Sequence, residues 1–390
     1  MMIAAFWLLA LVLFNLATWA GRRLGLIPIV SQLLLATFGL PLLMSFWVEP
    51  HWHLAGAHLV SPTWLKTLYG LAFAIVLGHI LSDVIEVRLD RQSLKVAVPS
   101  FLVPFVTGVG CSLALLPAQP WISSLAIGLV FAITAIPVLY LYLQHIDYPP
   151  TAVRRLVQTA ILIDLACWGL FGLAQGSLDL SALLLPLAGA CLPLLFRLLR
   201  LRQPLLYSAG FFGLLVVAEH YRLNALVFGV GYLLCMTRVG QAWVSPLPEA
   251  LFQRLQNRLA IPVLLTFGIV QIDVHSAVTS LDGWQLTTLI VLPIASKLLG
   301  NWLGLRWAPL SWPGASRWRE SVLLNIRGLS EIVFLNLLLQ QQLISPALYF
   351  ALMLMSLLAT LMPALLGLGR KPKLSTLVTE KPVRNSCAHH

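Results

Sequence analysis

The sequence predicts an all-α polytopic membrane protein with about 13 transmembrane helices. Of its 390 residues, 59% are hydrophobic and only 10% are charged, whereas a soluble domain carries about 25% charged residues. The apolar residues form continuous runs, and many of these approach the length of about 20 residues that a helix needs to cross a bilayer. Composition and the length of the apolar runs therefore both indicate a helical membrane protein.

Thirteen apolar segments are predicted to cross the membrane, and they are numbered as spans one to thirteen in chain order. They cover residues 2–20, 26–45, 63–82, 94–116, 121–144, 151–174, 180–199, 203–219, 222–237, 259–273, 284–305, 317–340 and 345–368. Between spans nine and ten, residues 243–258 are expected to form an amphipathic helix at the membrane surface.

The basic residues predict the orientation of these spans. Of the 25 Lys and Arg residues, 21 fall in one set of loops, whereas the opposite loops hold only Lys66 and Arg222. The positive-inside rule then places the N-terminus outside and the C-terminus in the cytoplasm, with residues 371–390 as a flexible polar tail. This asymmetry accounts for the net charge of +11, so no nucleic-acid partner is expected.

Four charged residues inside predicted spans are not explained by this orientation: Asp164, Lys297, Arg327 and Glu331. A charge at the centre of a bilayer costs roughly 2.5–3.5 kcal/mol on insertion scales, so such residues face a partner or a wet cavity. Asp164 lies near the middle of span six. It is either an ion site or a carboxylate neutralised by a neighbouring cation for packing alone.

Asp164 has the chemistry of a shared site for a proton and a cation. Burial favours the protonated form of a carboxyl group, and a hard cation prefers oxygen ligands such as a carboxylate. Competition between the two ions for one group couples their fluxes. Lys297 is the expected counter-charge of Asp164, with a static structural role as the alternative. Thr134, about one helical turn before Pro137, offers a hydroxyl group as a further ligand.

Two spans contain signals for a broken helix. In span five, Pro137 lacks an N–H group and follows Thr134, although an ordinary proline kink is the alternative. In span twelve, Arg327 and Gly328 interrupt an apolar helix, and Glu331 follows, so that it can pair with Arg327 at i, i+4. Arg327 is also expected to compensate the C-terminal end of a half-helix. Two interrupted helices predict a transporter with inverted repeats, in which spans four to six match spans eleven to thirteen.

These motifs resemble those of the monovalent cation:proton antiporter superfamily, in particular its second branch, with the potassium-efflux antiporters and the plant cation/proton exchangers. The resemblance is carried by FAITAIPVLYLYLQ in span five, by RRLVQTAILIDLACWGLFGLA in span six, by SKLLG around Lys297 and by RGLSEI from Arg327. It implies an NhaA-type fold with two crossing broken helices. It also implies a homodimer whose core slides against a dimer domain.

The resemblance divides residues 1–370 into three parts. The dimer domain comprises residues 1–92 and 203–273, the core comprises residues 93–174 and 284–368, and residues 180–200 form the linker helix. One position departs from the family pattern, because Ile163 stands where a polar residue normally precedes the key Asp. This departure favours either one proton per cation or weaker coordination of the cation.

The expected function is exchange of a monovalent cation, Na+ or K+, for protons by alternating access. Asp164 and Thr134 would bind the cation and the proton, Lys297, Arg327 and Glu331 would compensate charge, and Pro137 and Gly328 would break the helices. No enzyme motif, cofactor or metal site is expected, and the expected location is a bacterial inner membrane. Two alternatives stay open: a sodium-coupled symporter of a small organic anion on the same fold, and a sensor or partner protein that does not transport.

Overall fold

The computed structural model of the chain describes residues 2–23, 28–52, 54, 56–82, 91–116, 120–176, 188–201, 203–220, 225–240, 244, 248–271, 281–309 and 316–368. Every regular element in these ranges is a helix. In chain order the helices are α1 Met2–Arg23, α2 Pro28–Trp52, α3 Gly56–Leu59, α4 Thr63–Ser82, α5 Arg91–Leu115, α6 Trp121–Ala132, α7 Ile136–His145, α8 Pro150–Gly176, α9 Leu192–Leu198, α10 Pro204–His220, α11 Ala225–Val239, α12 Glu249–Leu255, α13 Ile261–Val270, α14 Gly283–Trp307, α15 Arg317–Leu323, α16 Leu329–Gln340 and α17 Pro346–Leu365.

Six of these helices are long and apolar enough to cross a membrane on their own. They are α1, α2, α5, α8, α14 and α17. Several outward-facing positions along them carry large apolar side chains, among them Leu8, Val106 and Leu173. Lipid tails accommodate such side chains, whereas water does not. The chain is therefore a multi-pass α-helical membrane protein.

Each of the thirteen predicted segments coincides with one helix or with a pair of helices in the described residues. For span seven, only residues 188–198 of the segment 180–199 are described as helix. The predicted surface helix over 243–258 is not separate from span ten. Instead, α12 continues through a π turn at Gln256–Ala260 directly into α13. The predicted tail, residues 371–390, lies outside the described residues.

The two predicted breaks each divide a span into two short helices. Span five consists of α6 and α7, with residues 133–135 between them in extended conformation, and span twelve consists of α15 and α16, with residues 324–328 between them. The proline of span five lies in the first turn of α7. There the missing N–H group removes no hydrogen bond. Pro137 therefore begins the second half of the span rather than bending a continuous helix.

Close packing of α14 against α5 positions Lys297. A Cβ atom added at Gly300 would lie 2.7 Å from the carbonyl oxygen of Pro99, and one added at Gly304 would lie 2.5 Å from that of Val96. Small residues four positions apart let two membrane helices approach closely. The backbone of α5 is thereby brought against the face of α14 that carries Lys297.

Candidate functional site at the crossing of two broken helices

The two interrupted segments touch at the centre of the molecule. The backbone N–H of Ala135 donates a hydrogen bond of 3.2 Å to the carbonyl oxygen of Ile326. The hydroxyl group of Ser330 donates to the carbonyl oxygen of Thr134 over 3.4 Å. Backbone groups that the breaks release from α-helical hydrogen bonding thus find partners in the other segment, as the interior of a membrane protein requires.

Asp164 lies beside this crossing, on α8, with only 1% of its surface exposed. Its Oδ1 atom accepts a hydrogen bond of 3.2 Å from the backbone N–H of Thr134. Its Oδ2 atom has no hydrogen-bond partner among the described residues, and the same is true of Thr134 Oγ1. The sequence pointed to the hydroxyl group of Thr134, whereas the contact in the structure comes from its main chain. The crossing therefore holds a carboxylate oxygen and a hydroxyl group that are both buried and unpartnered.

Lys297 is fully buried and binds main-chain oxygens rather than a carboxylate. Its Nζ atom donates to the carbonyl oxygen of Ser100 over 3.2 Å and to that of Ala132. No ion pair within 4.0 Å joins Lys297 to Asp164 in the described part of the chain. Lys297 is close enough to influence Asp164 electrostatically, but the direct pairing that the sequence suggested is not present in this conformation.

Arg327 binds the same helix end as Lys297. Its two terminal nitrogens donate to the carbonyl oxygens of Val130 over 2.6 Å and of Phe131 over 2.7 Å. The carbonyl groups in the last turn of a helix lack intrahelical partners and carry partial negative charge. Three successive carbonyl groups at the C-terminus of α6, those of residues 130–132, thus receive two buried cations. The half-helix whose C-terminal carbonyl groups Arg327 binds is α6 of span five.

Arg327 and Glu331 form a fully buried ion pair, with 2.9 Å between an Arg327 terminal nitrogen and Glu331 Oε1. Arg327 itself lies in the non-helical residues 324–328, so the pair does not follow the side of a regular helix. The Thr360 hydroxyl group of α17 donates to the carbonyl oxygen of Arg327 over 2.7 Å. This contact fixes the backbone that carries the guanidinium group.

Gly328 forms the start of α16 with a φ of +156°. Residues with a side chain rarely adopt this conformation. A Cβ atom at this position would also lie 2.8 Å from Val138 Cγ2 on α7. Both the backbone turn and the close approach of the two broken helices therefore require glycine here.

The sequence did not identify a second buried ion pair of the predicted core. Arg155, at the beginning of α8, donates to Glu320 Oε2 of α15 over 2.7 Å, and it also donates to the carbonyl oxygen of Pro309. Arg155 belongs to the set of basic residues that predicts the orientation, so the sequence gives no separate indication of its ion pair. Glu320 is fully buried. The acidic residue Glu320 within predicted span twelve is the sequence feature that could have indicated this pair.

Within the described ranges, no group of three His, Cys, Asp or Glu residues is placed to hold a metal ion. His51, in the last turn of α2, and His58, in α3, are exposed, whereas His53 lies outside the described residues.

No family model matches the chain. Two curated plant proteins of Arabidopsis thaliana are similar to it in sequence. Cation/H(+) antiporter 18 is 25% identical over 338 residues, covering 77% of this chain and 40% of the relative. Cation/H(+) antiporter 17 is 26% identical over 341 residues, with the same shares. The chain thus spans about 40% of the length of the curated relatives it matches.

The fold is similar to that of the sodium proton antiporter MjNhaP1 from Methanocaldococcus jannaschii at pH 8. The TM-score is 0.58 and the sequence identity is 14%, and the alignment covers 94% of this chain and 95% of the other. These comparisons confirm the resemblance to the monovalent cation:proton antiporter superfamily. The three proteins are antiporters by name, and this chain has a polytopic helical fold similar to that of MjNhaP1.

Proposed function

We propose that this chain, a multi-pass membrane protein similar to the cation:proton antiporters in sequence and fold, exchanges a monovalent cation for protons. The observation that carries the proposal is the placement of Asp164, which is buried where two broken helices cross. Its Oδ2 atom has no hydrogen-bond partner among the described residues. An intramembrane carboxylate with an unused oxygen is suited to bind a transported ion.

Exchange follows from competition at Asp164. A proton and a cation both bind the carboxylate, and each displaces the other because one negative charge cannot stabilise both. The Thr134 amide holds Oδ1 in place, so Oδ2 and the Thr134 hydroxyl group are the oxygens open to a cation such as Na+ or K+. Alternating access then carries a cation in one direction and a proton in the other.

Lys297, Arg327 and Glu331 compensate charge in this proposal. Arg327 and Glu331 neutralise each other, which leaves Lys297 as the positive charge that balances an ionised Asp164. Because Lys297 binds carbonyl oxygens of Ser100 and Ala132, its charge is held close to the site whatever Asp164 binds. A cation that enters the site must then overcome repulsion from Lys297, which favours its release.

In this proposal Asp164 is the single carboxylate that binds the cation, since Glu331 is paired with Arg327 and the residue before Asp164 is the buried Ile163. An isoleucine side chain binds neither a proton nor a cation. We therefore propose exchange of one proton for one cation, which moves no net charge across the membrane. The rate should then be insensitive to a membrane potential.

We further propose the architecture that the resemblance implies. Residues 93–174 and 284–368 form the moving core of a homodimer, residues 1–92 and 203–273 form the dimer domain, and residues 180–200 link them. The C-terminus faces the cytoplasm, and the location is a bacterial inner membrane. The support is the positive-inside pattern and the match of the predicted spans to helices.

Cation-induced dissipation of a pH gradient in proteoliposomes tests the function. Wild type and Asp164→Asn are reconstituted side by side, and Na+ or K+ is added in separate runs, with and without a clamped membrane potential. We expect one or both cations to collapse the gradient through wild type and neither to do so through Asp164→Asn. A matched control is Asp282→Asn, which changes a carboxylate that caps α14 and should leave exchange intact.

Two other outcomes would overturn the proposal. Folded wild type that moves no protons with either cation would favour a sensor or partner protein. Uptake of a small organic anion driven by Na+, without a requirement for a pH gradient, would favour a sodium-coupled symporter. Both alternatives are tested because the buried Ile163 provides no side-chain ligand beside Asp164.

A further inference from the structure

Ser330 is the second residue of α16, immediately after the Leu329 that begins this helix, and it is fully buried. Its hydroxyl group lies 3.4 Å from the carbonyl oxygen of Thr134, the residue whose backbone N–H binds Asp164 Oδ1. Hydroxyl groups normally donate to oxygen at about 2.7–2.8 Å. The contact with Thr134 is therefore long, and the hydroxyl group is weakly held.

The oxygens around the crossing form an incomplete set. Asp164 Oδ2 and Thr134 Oγ1 are buried and have no hydrogen-bond partner in the described part of the chain. Ser330 Oγ has one proton, directed at the Thr134 carbonyl group, and two lone pairs that remain available. Ile163 contributes no oxygen. Because a hard cation is bound by several oxygens at once, the missing ligands must come from neutral groups.

We infer that Ser330 is a specificity-determining ligand of the cation site, supplied by the second broken helix. This inference rests on the proposed function. Ser330 adds an oxygen without adding charge, so the site retains one negative charge for one monovalent cation. A proton binds the carboxylate and needs no such ligand. Ser330 therefore strengthens cation binding relative to proton binding, and it links the ion to α16 as well as to α8.

The test compares Ser330→Ala, Ser330→Thr and the control Ser123→Ala in proteoliposomes. Ser123 is a buried serine of α6, and its hydroxyl group has no partner among the described residues. It lies eleven positions before Thr134 in sequence, so Ser123→Ala makes the same chemical change away from the crossing. The KM for Na+ and K+ and the kcat of exchange are measured at fixed pH, together with the proton release that each cation causes in purified protein.

We expect Ser330→Ala to raise the KM of the transported cation by about five- to tenfold, as loss of one ligand worth about 1 kcal/mol implies. The kcat at saturating cation should stay near wild type. Ser330→Thr keeps the hydroxyl group and should stay closer to wild type than Ser330→Ala. Ser123→Ala should leave the KM unchanged.

An unchanged KM in folded Ser330→Ala, with wild type active, overturns this inference and leaves the proposed function standing. Equal losses in kcat, KM and proton binding indicate a structural role and also overturn it. If Ser330→Ala does not fold, Ser330→Cys replaces it, because sulfur preserves the shape but is a poor ligand for a hard cation. A wild type without exchange refutes the proposed function, and this inference with it.

Discussion

Arg155 and Glu320 form an ion pair of 2.7 Å that joins the beginning of α8 to α15, while the adjacent Arg154 is exposed. The pair connects the helix that carries Asp164 to the first half of a broken span. Two consecutive arginines thus have different roles, and a comparison of the two isolates the contribution of the buried one.

Arg155→Ala should destabilise the protein strongly, because it leaves the Glu320 carboxylate buried without its cation. Removal of one partner from a buried pair costs about 3–5 kcal/mol. Arg154→Ala removes the same side chain from an exposed position and should leave the unfolding midpoint near wild type. Thermal unfolding of purified protein, followed by tryptophan fluorescence, makes the comparison. Equal unfolding midpoints for Arg155→Ala and Arg154→Ala would contradict the stabilising role of the buried pair.

Arg327→Gln should be more destabilising than Glu331→Gln, although both break the same ion pair. Arg327 also binds the carbonyl groups of Val130 and Phe131, so its loss leaves the C-terminus of α6 without one of its two cations. After Glu331→Gln, the guanidinium group keeps both carbonyl partners. Unfolding midpoints of the single and double variants give the coupling, which we expect to exceed about 1 kcal/mol. Additive effects would argue against the pair as a unit.

Gly328→Ala should destabilise the protein by at least about 1 kcal/mol, because alanine is strained at a φ of +156° and meets Val138. Adding Val138→Ala should recover the part due to the steric contact and not the part due to the backbone. Gly169→Ala is the control, since nothing lies within 4 Å of a Cβ atom there. The measurement is again the unfolding midpoint, and a Gly328→Ala variant as stable as Gly169→Ala would refute the argument.

Tyr349→Phe should cost about 1–3 kcal/mol, because it leaves a buried amide oxygen without its donor. The Tyr349 hydroxyl group donates to Asn336 Oδ1 over 2.7 Å, and Asn336 in turn donates to the carbonyl oxygen of Leu264 over 2.8 Å. Tyr140→Phe, at a tyrosine that is 44% exposed, should have little effect. If both variants unfold at the same temperature, the hydrogen-bonded chain from α17 to α13 does not stabilise the fold.

The sequence marks both interruptions with residues that act through the backbone, Pro137 and Gly328. Proline alone is not a sufficient signal, because Pro99, Pro104 and Pro293 lie inside continuous helices. The sequence also paired Arg327 with Glu331, since the two charges are close in sequence and an unpaired charge in a membrane is costly. Such local signals do not depend on how distant segments meet.

The partners of Lys297 could not be predicted in the same way. Its acceptors are the carbonyl groups of Ser100 and Ala132, far away in the chain. Every residue carries a carbonyl group, so side-chain identity gives no signal. The hydrogen-bond donor to Asp164 could not be predicted for the same reason. The sequence indicates that Thr134 has a hydroxyl group, but the donor is its backbone amide, which every residue except proline also has.

The hydrogen bond between Ala135 and Ile326 joins the two breaks through main-chain atoms alone. This hydrogen bond does not depend on the chemistry of either side chain. It requires only that residue 135 has a backbone N–H group. Substitutions at these two positions can therefore accumulate over evolution without undoing the crossing, provided that their volume fits. Proline at position 135 is the exception, because it would remove the donor.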